Sequence, residues 1–337
     1  MSTISPPAPP PAPAPAPAEE RRVITAEPTS ADRVFVTAAR TAAVSTLVIM
    51  GLIGLFLLIG ALPAFDQTGL KFLTENQWLP ETGTFGIASL LEGTVLIAVI
   101  ALAVSFPVAF GAALFISEYA PRSLKKTLVT LTDLMAAVPA VIYAMWGFFW
   151  LQAHLLEVSR WTSEHLGGVF PFLRVDDPDT LSSYTSSAFI AGIAVSAVVL
   201  PTITSVMREV FSQAPVSERE GAIALGATRW GMIRTVVIPF GRGGIVGGTM
   251  LGLGRALGET IVVFLIISPM FDFTSHPLQS GTNAIAPHIA ARYSESSGVA
   301  LAGLLGAGLV LFAFTLVINT GAGMIVARSR SGAATEI

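Results

Sequence analysis

The stretch "APVSEREGAIALGATRWGMIRTVVIPF", residues 214–240, separates two long apolar runs and reads as two short helical pieces leading into a longer one. Pro215 halts the helix before it, because a proline disfavours helical backbone in the residue it follows. Ser217 and Glu220 have capping-box spacing, which predicts a short helix from Glu218 to about Leu225. That helix would expose Glu218 and Arg219 and present Ala222, Ile223 and Leu225 as an apolar stripe. Gly226 can adopt the left-handed conformation that ends a helix. Thr228 or a neighbour restarts the chain, and Pro239 suits the entrance of the next helix. A small, half-apolar helix of this kind either docks in a partner's groove or lies along a membrane surface. The loop residues alone leave both uses open.

Outward from this loop the chain is oily. Of its 337 residues 53% are hydrophobic and 12% charged, with a mean hydropathy of +0.71; a soluble domain carries about twice that charged fraction. Six segments are long and apolar enough to cross a bilayer, at roughly 40–63, 88–117, 127–151, 186–207, 236–270 and 298–326. With no water in the hydrocarbon to satisfy backbone groups, the spans must be helical. The expected fold is an all-α polytopic membrane protein, its 217–230 helix lying between spans four and five. Residues 36–337 would form this domain. Residues 1–35, rich in Pro-Ala alternation, lack both helix-compatible N–H donors and large apolar side chains, and read as a disordered tail.

Basic residues orient the spans. Arg21, Arg22, Arg33, Arg40, Arg122, Lys125, Lys126, Arg208, Arg219, Arg229, Arg234, Arg242, Arg328 and Arg330 fall on one side, whereas Lys71, Arg160, Arg174 and Arg292 fall on the other. Both termini, and the 214–240 loop, are therefore expected on the cytoplasmic side of the membrane. Arg255 belongs to neither side.

Several chemistries are disfavoured. Without cysteine there is no disulfide or thiolate site. His154, His165, His276 and His288 lie in or beside predicted loops without metal-ligand spacing, and read as polar surface. No phosphate-binding glycine loop precedes a lysine, and Gly252, Gly254 and Gly258 lack dinucleotide-fingerprint spacing. The chain is expected to have no catalytic residue, metal, cofactor or nucleic-acid partner of its own.

The order Glu220-Gly221-Ala222, three residues, Gly226, nine residues, then Val236-Val237-Ile238-Pro239 resembles the cytoplasmic EAA loop of ABC-importer permeases. Together with "LPTITSVMREVF" (200–211) and "GLGRALGET" (252–260), it resembles the permeases of the phosphate-specific Pst importer, the PstC type more than PstA, over about residues 86–326. The resemblance implies a type I ABC-importer permease fold. It also implies an ATPase-docking role for Ser217, Glu220, Ala222, Gly226 and Thr228, and a phosphate path past Arg255 and Glu259. Its implied partners are a second, PstA-like permease, PstB-like ATPase subunits that use ATP and Mg²⁺, and a PstS-like phosphate-binding protein outside the membrane. An importer of another oxyanion, sulfate or molybdate, is the nearest alternative. A partner-independent carrier would instead show an internal repeat, and no clear one is present.

Arg255 and Glu259 sit deep in span five, where a charge costs ~2.5–3.5 kcal/mol or more unless it faces protein or water. At i,i+4 spacing they can form a static ion pair. Alternatively Arg255 lines an anion path, its planar fork matching two phosphate oxygens, with Glu259 either bracing it or taking part in transport by accepting a proton from phosphate. Gly244, Gly248 and Gly252 form a smooth strip expected to take another helix closely, either at a subunit interface bordering a pore or, as is commoner for such a repeat, in simple helix packing. Gly254 and Gly258 leave room beside the arginine. Lesser expectations are a start-of-helix acid at Asp133, a kink at Pro139, a helix bent or ended at Pro287, and an aromatic belt of Trp78, Trp146, Trp150 and Trp161 opposite Trp230.

Overall fold

The structure, a computed structural model, describes residues 30–267 and 276–329. Two compact units divide at Leu52 and Ile53, inside the first helix, α1 (Ser30–Thr68). In the first unit, the described residues from Ser30 are helical and exposed along their whole length. Helix thus begins at Ser30, ahead of the expected tail boundary at 35. The Pro/Ala-rich stretch itself lies outside the described residues.

In the second unit a short antiparallel hairpin, β1 (Trp78–Leu79) and β2 (Thr84–Phe85), leads into α2 (Ala88–Leu114), which closes in a π turn at Phe115–Tyr119. Next come α3 (Arg122–Ala137), α4 (Ala140–Trp146), a π turn at Gly147–Leu151, and α5 (Gln152–Leu166). After α6 (Ala188–Ser212) come the loop helices α7 (Val216–Ala224) and α8 (Arg229–Met232), then a π turn at Ile233–Val237 and α9 (Ile238–Leu257). The short α10 (Ile261–Ile266) and α11 (Ile285–Arg292) precede α12 (Gly298–Ser329). Among the described residues six helical segments are long and apolar enough to cross a membrane: Ser30–Leu73, Ala88–Tyr119, Ala140–Leu166, Ala188–Ser212, Arg229–Leu257 and Gly298–Met324. The chain is a six-span, all-α membrane protein, as its apolar pattern predicts.

Two spans differ from expectation. The third begins at Ala140 rather than 127, because Pro139 breaks the helix outright: Val138 is extended (φ −65°, ψ 127°) and α3 stands as a separate helix. Asp133 accordingly lies in the C-terminal half of α3, not at a helix start. The fifth ends at Leu257 instead of continuing to 270.

The core is built from small residues. Ala98 and Ala101 of α2 and Ala191, Ala194 and Val195 of α6 are fully buried in the most extensive helix pair. Without a hydrophobic force between helices in lipid, close approach by small side chains supplies the packing. The glycine strip of α9 is used in the same way. A Cβ added at Gly241, Gly244, Gly248 or Gly252 would meet, respectively, Phe211, Val210, Val206 and Ile203 of α6. The strip is therefore filled by this chain's own α6, so of the two readings it is helix packing within the chain, not a subunit interface, that holds.

At the hairpin end, Phe65, Phe72, Phe85 and Trp78 pack edge to face, with successive ring centroids 5.2, 6.0 and 5.8 Å apart. Trp78 is buried rather than part of an outer belt, whereas Trp146, Trp150, Trp161 and Trp230 are exposed. His288 of α11, outside the six spans, is 3% exposed and stacks edgewise on Trp78 at 4.6 Å, correcting its reading as surface. Pro287 neither bends nor ends α11: it sits in the first turn, where a missing N–H costs no hydrogen bond. Burial, reinforced by the Arg292 charge, lowers the His288 pKa from 6.5 to about 4. Between those values the unfolded chain binds the proton and the folded chain does not. The associated stability, roughly 3 kcal/mol, is thus present above the unfolded pKa and lost as pH falls toward 4. Thermal stability of the purified complex is expected to decline through this window. His288→Gln should flatten that decline; an unchanged profile would refute the assignment.

Candidate functional site

Span five stops where glycine and hydroxyl chemistry allow it. Gly258 leaves the helix (φ −94°, ψ 2°), and the Thr260 hydroxyl donates back to the Gly258 carbonyl at 3.1 Å. Chain direction is re-established by α10, whose Val262 amide donates to Glu259 Oε1 at 3.4 Å. Arg255 thus occupies the last turn of α9, where its charge complements the helix dipole.

The expected pair does not form. Among the described residues the ion pairs are Arg160–Glu164 and Arg219–Glu118. Arg255 instead donates through Nη1 to Thr202 Oγ1 of α6 at 3.1 Å, and its side chain is otherwise open. The static lock by Glu259 is replaced by a division of labour: Thr202 positions the guanidinium, and Glu259 secures the break after it.

Arg255 lines a groove of about 570 Å³ between α9 and α12, with Met250, Gly254 and Gly258 on one side and Phe312, Thr315 and Asn319 on the other. Gly254 faces the Asn319 amide across the groove: a Cβ there would stand 3.7 Å from Asn319 Oδ1, in ordinary van der Waals contact. The surface is mostly apolar, with the guanidinium and two uncharged polar side chains converging on it. Arg255 is thus a cation in an apolar span, with no carboxylate partner among the described residues, beside an open space. Sequence reasoning missed Thr202 and Asn319. The signal for Asn319 was present, as an amide inside the apolar run "TLVINTG"; Thr202 gave none.

The loop helices are close to their expected form. Gly226 has φ +89°, and a double hydrogen bond closes α7, from Gly226 N to Ile223 O (2.9 Å) and from Ala227 N to Ala222 O (3.1 Å). Thr228 caps α8 by accepting from Gly231 N at 3.1 Å. Ser217 does not cap α7, because Pro215 takes the N-cap position and helix begins at Val216. Arg219 also departs from expectation. It turns inward, Nη1 lying 3.1 Å from Oε1 of Glu118 and Nη2 donating to Phe211 O at 2.6 Å. Ser217, Glu220 and Gly226 are exposed and Ala222 is half-buried, while Leu225 at 92% exposure leads an open apolar edge with Ile223 and Val216.

A six-span bundle with a paired loop helix before span five is the architecture of a transport permease. Residues 105–331 match the inner membrane component of binding-protein-dependent transport systems, and the chain belongs to that family. The phosphate transport system permease protein PstC 2 of Mycobacterium tuberculosis is 36% identical over 305 residues, covering 89% of this chain and 93% of its own. PstC of Pasteurella multocida is 34% identical over 277 residues, covering 81% of this chain and 84% of its own. Among solved structures, the inward-facing MetNI methionine ABC transporter shares the fold: TM-score 0.51 at 13% identity, over 70% of this chain and 93% of that one.

Proposed function

We propose that this chain is the channel-forming permease subunit of an ATP-driven importer of inorganic phosphate. The observation that carries the reading is the Arg255 guanidinium. It is tethered to Thr202, has no carboxylate partner among the described residues, and opens on the α9–α12 groove. The PstC names of relatives at 34–36% identity support phosphate over sulfate or molybdate. A second, similar permease completes the path opposite Arg255, and a binding protein delivers phosphate from outside. Two ATPase subunits, which use ATP and Mg²⁺, receive the α7 edge around Ile223 and Leu225, and this chain hydrolyses nothing itself. The asymmetry of Lys and Arg supports a cytoplasmic side for both termini and the α7–α8 loop.

The test is ATP-driven uptake of labelled phosphate by the full complex in proteoliposomes. Phosphate should be taken up, and excess sulfate or molybdate should compete poorly. Uptake of sulfate or molybdate in place of phosphate would reassign the substrate. Uptake by this chain alone, without ATPase subunits, would remove it from this class of machine.

A further inference from the structure

Glu118 ties the loop helices to the bundle. It sits in the π turn that closes α2, is 6% exposed, and is engaged twice. Its carboxylate meets Arg219 of α7, with Nη1 at 3.1 Å from Oε1 and donating to Oε2 at 3.3 Å. Its backbone carbonyl accepts from Arg229, which directly follows the α8 cap and whose guanidinium also lies over the Tyr119 ring at 5.0 Å. That carbonyl stands at a helix end, where the last turn lacks intrahelical donors and Pro121 has no N–H to offer. Arg219 has a second prong on the Phe211 carbonyl, at the end of α6.

Three properties set this cluster apart from an ordinary surface contact. Its ion pair is largely desolvated, with side-chain exposures of 4% at Glu118 and 19% at Arg219 while Arg229 stays exposed, and a buried ion pair stabilises little compared with an apolar replacement, its best-attested use being to fix alignment. It joins elements far apart in sequence, 118 with 219 and 229. And it is bracketed by two π turns, Phe115–Tyr119 and Ile233–Val237, a local geometry that recurs at functional sites. The helices it grips lead to the groove: α2 packs most extensively on α6, and α6 carries Thr202, the anchor of Arg255.

We infer that Glu118, held by Arg219 and Arg229, is the positioning residue that passes displacement of α7 to α2 and α6, and so to the Thr202–Arg255 contact. The inference rests on the docking role proposed for α7. The test uses the full complex in proteoliposomes and reads complex recovery, ATP hydrolysis and phosphate moved per ATP. Glu118→Gln is expected to keep the ATPase bound and hydrolysing while phosphate per ATP falls on the order of tenfold; Glu118→Asp, which keeps the charge, should recover most of it. If Glu118→Gln lowers only the yield of complex, with phosphate per ATP unchanged, the residue is merely structural and the inference fails. Should that complex not be recovered, Arg219→Lys tests the same point. It keeps the charge but loses the prong to Phe211, so phosphate per ATP should drop partway, and a wild-type ratio overturns the inference. Normal ratios in these variants alongside an uncoupled Leu225→Asp would overturn the clamp and leave the docking role standing. An unaffected Leu225→Asp complex would overturn both.

Discussion

Arg255→Gln is expected to lower ATP-driven phosphate uptake by at least ~100-fold, the size expected for losing two hydrogen bonds to a charged donor. The substituted amide is uncharged and shorter, and it cannot offer the planar pair of N–H groups that matches two phosphate oxygens. Assembly should survive, because the side chain is exposed in the groove and, among the described residues, contributes one hydrogen bond, to Thr202. Arg255→Lys keeps the charge without the fork and should fall between the two. Uptake measured in proteoliposomes, normalised to complex recovered, decides the matter. Wild-type uptake in Arg255→Gln would make the arginine a helix-packing residue and remove the path from this groove.

Gly226→Asp is expected to abolish coupled transport by preventing the ATPase from seating. The position has open space where a Cβ would go, so no packing clash arises. The cost to the chain itself is the left-handed backbone, φ +89°, roughly 1–2 kcal/mol for a non-glycine residue. The added carboxylate projects from the end of α7 beside Leu225. Leu225→Asp separates docking from backbone strain: that side chain is 92% exposed, so its loss removes only what a partner would bury, roughly 1.5–3 kcal/mol of apolar burial. Both variants should lose ATPase subunits on purification. Retention of the ATPase with normal phosphate transport in Leu225→Asp would show that α7 lies along the membrane surface rather than in a partner.

Where the sequence was legible, local chemistry was sufficient. Gly226 and Thr228 act within a few residues of themselves, as helix closer and helix cap, and both do what their types predict. Ser217 failed by one position, because proline at 215 claims the cap and shifts the start to Val216. At Pro139 a kink was expected and a full stop found, since the extended Val138 separates an amphipathic α3 from the span. The end of span five was hidden for a different reason. Apolar residues run on through 261–266, so hydropathy cannot see the break that Gly258, Thr260 and Glu259 make with hydrogen bonds.

The candidate site divides in the same way. Arg255 was visible because a cation inside an apolar span is costly wherever it points. What it points at was not: at i,i+4 the glutamate was the natural partner, and only the break after Leu257 turned Glu259 to α10 and left Thr202, fifty-three positions away in sequence, to hold the guanidinium. Arg219 likewise read as a solvated loop charge until α2 supplied Glu118. By itself the sequence determined six apolar helices, a short loop helix with its glycine closure, and a charge that must face something polar, because hydropathy, backbone preference and desolvation act residue by residue. The tertiary structure alone decided that α6 fills the glycine strip, that Glu118 receives Arg219 and Arg229, and that Asn319 shares a groove with Arg255. Those outcomes depend on which helices lie side by side, and packing between distant segments leaves no local mark on either one.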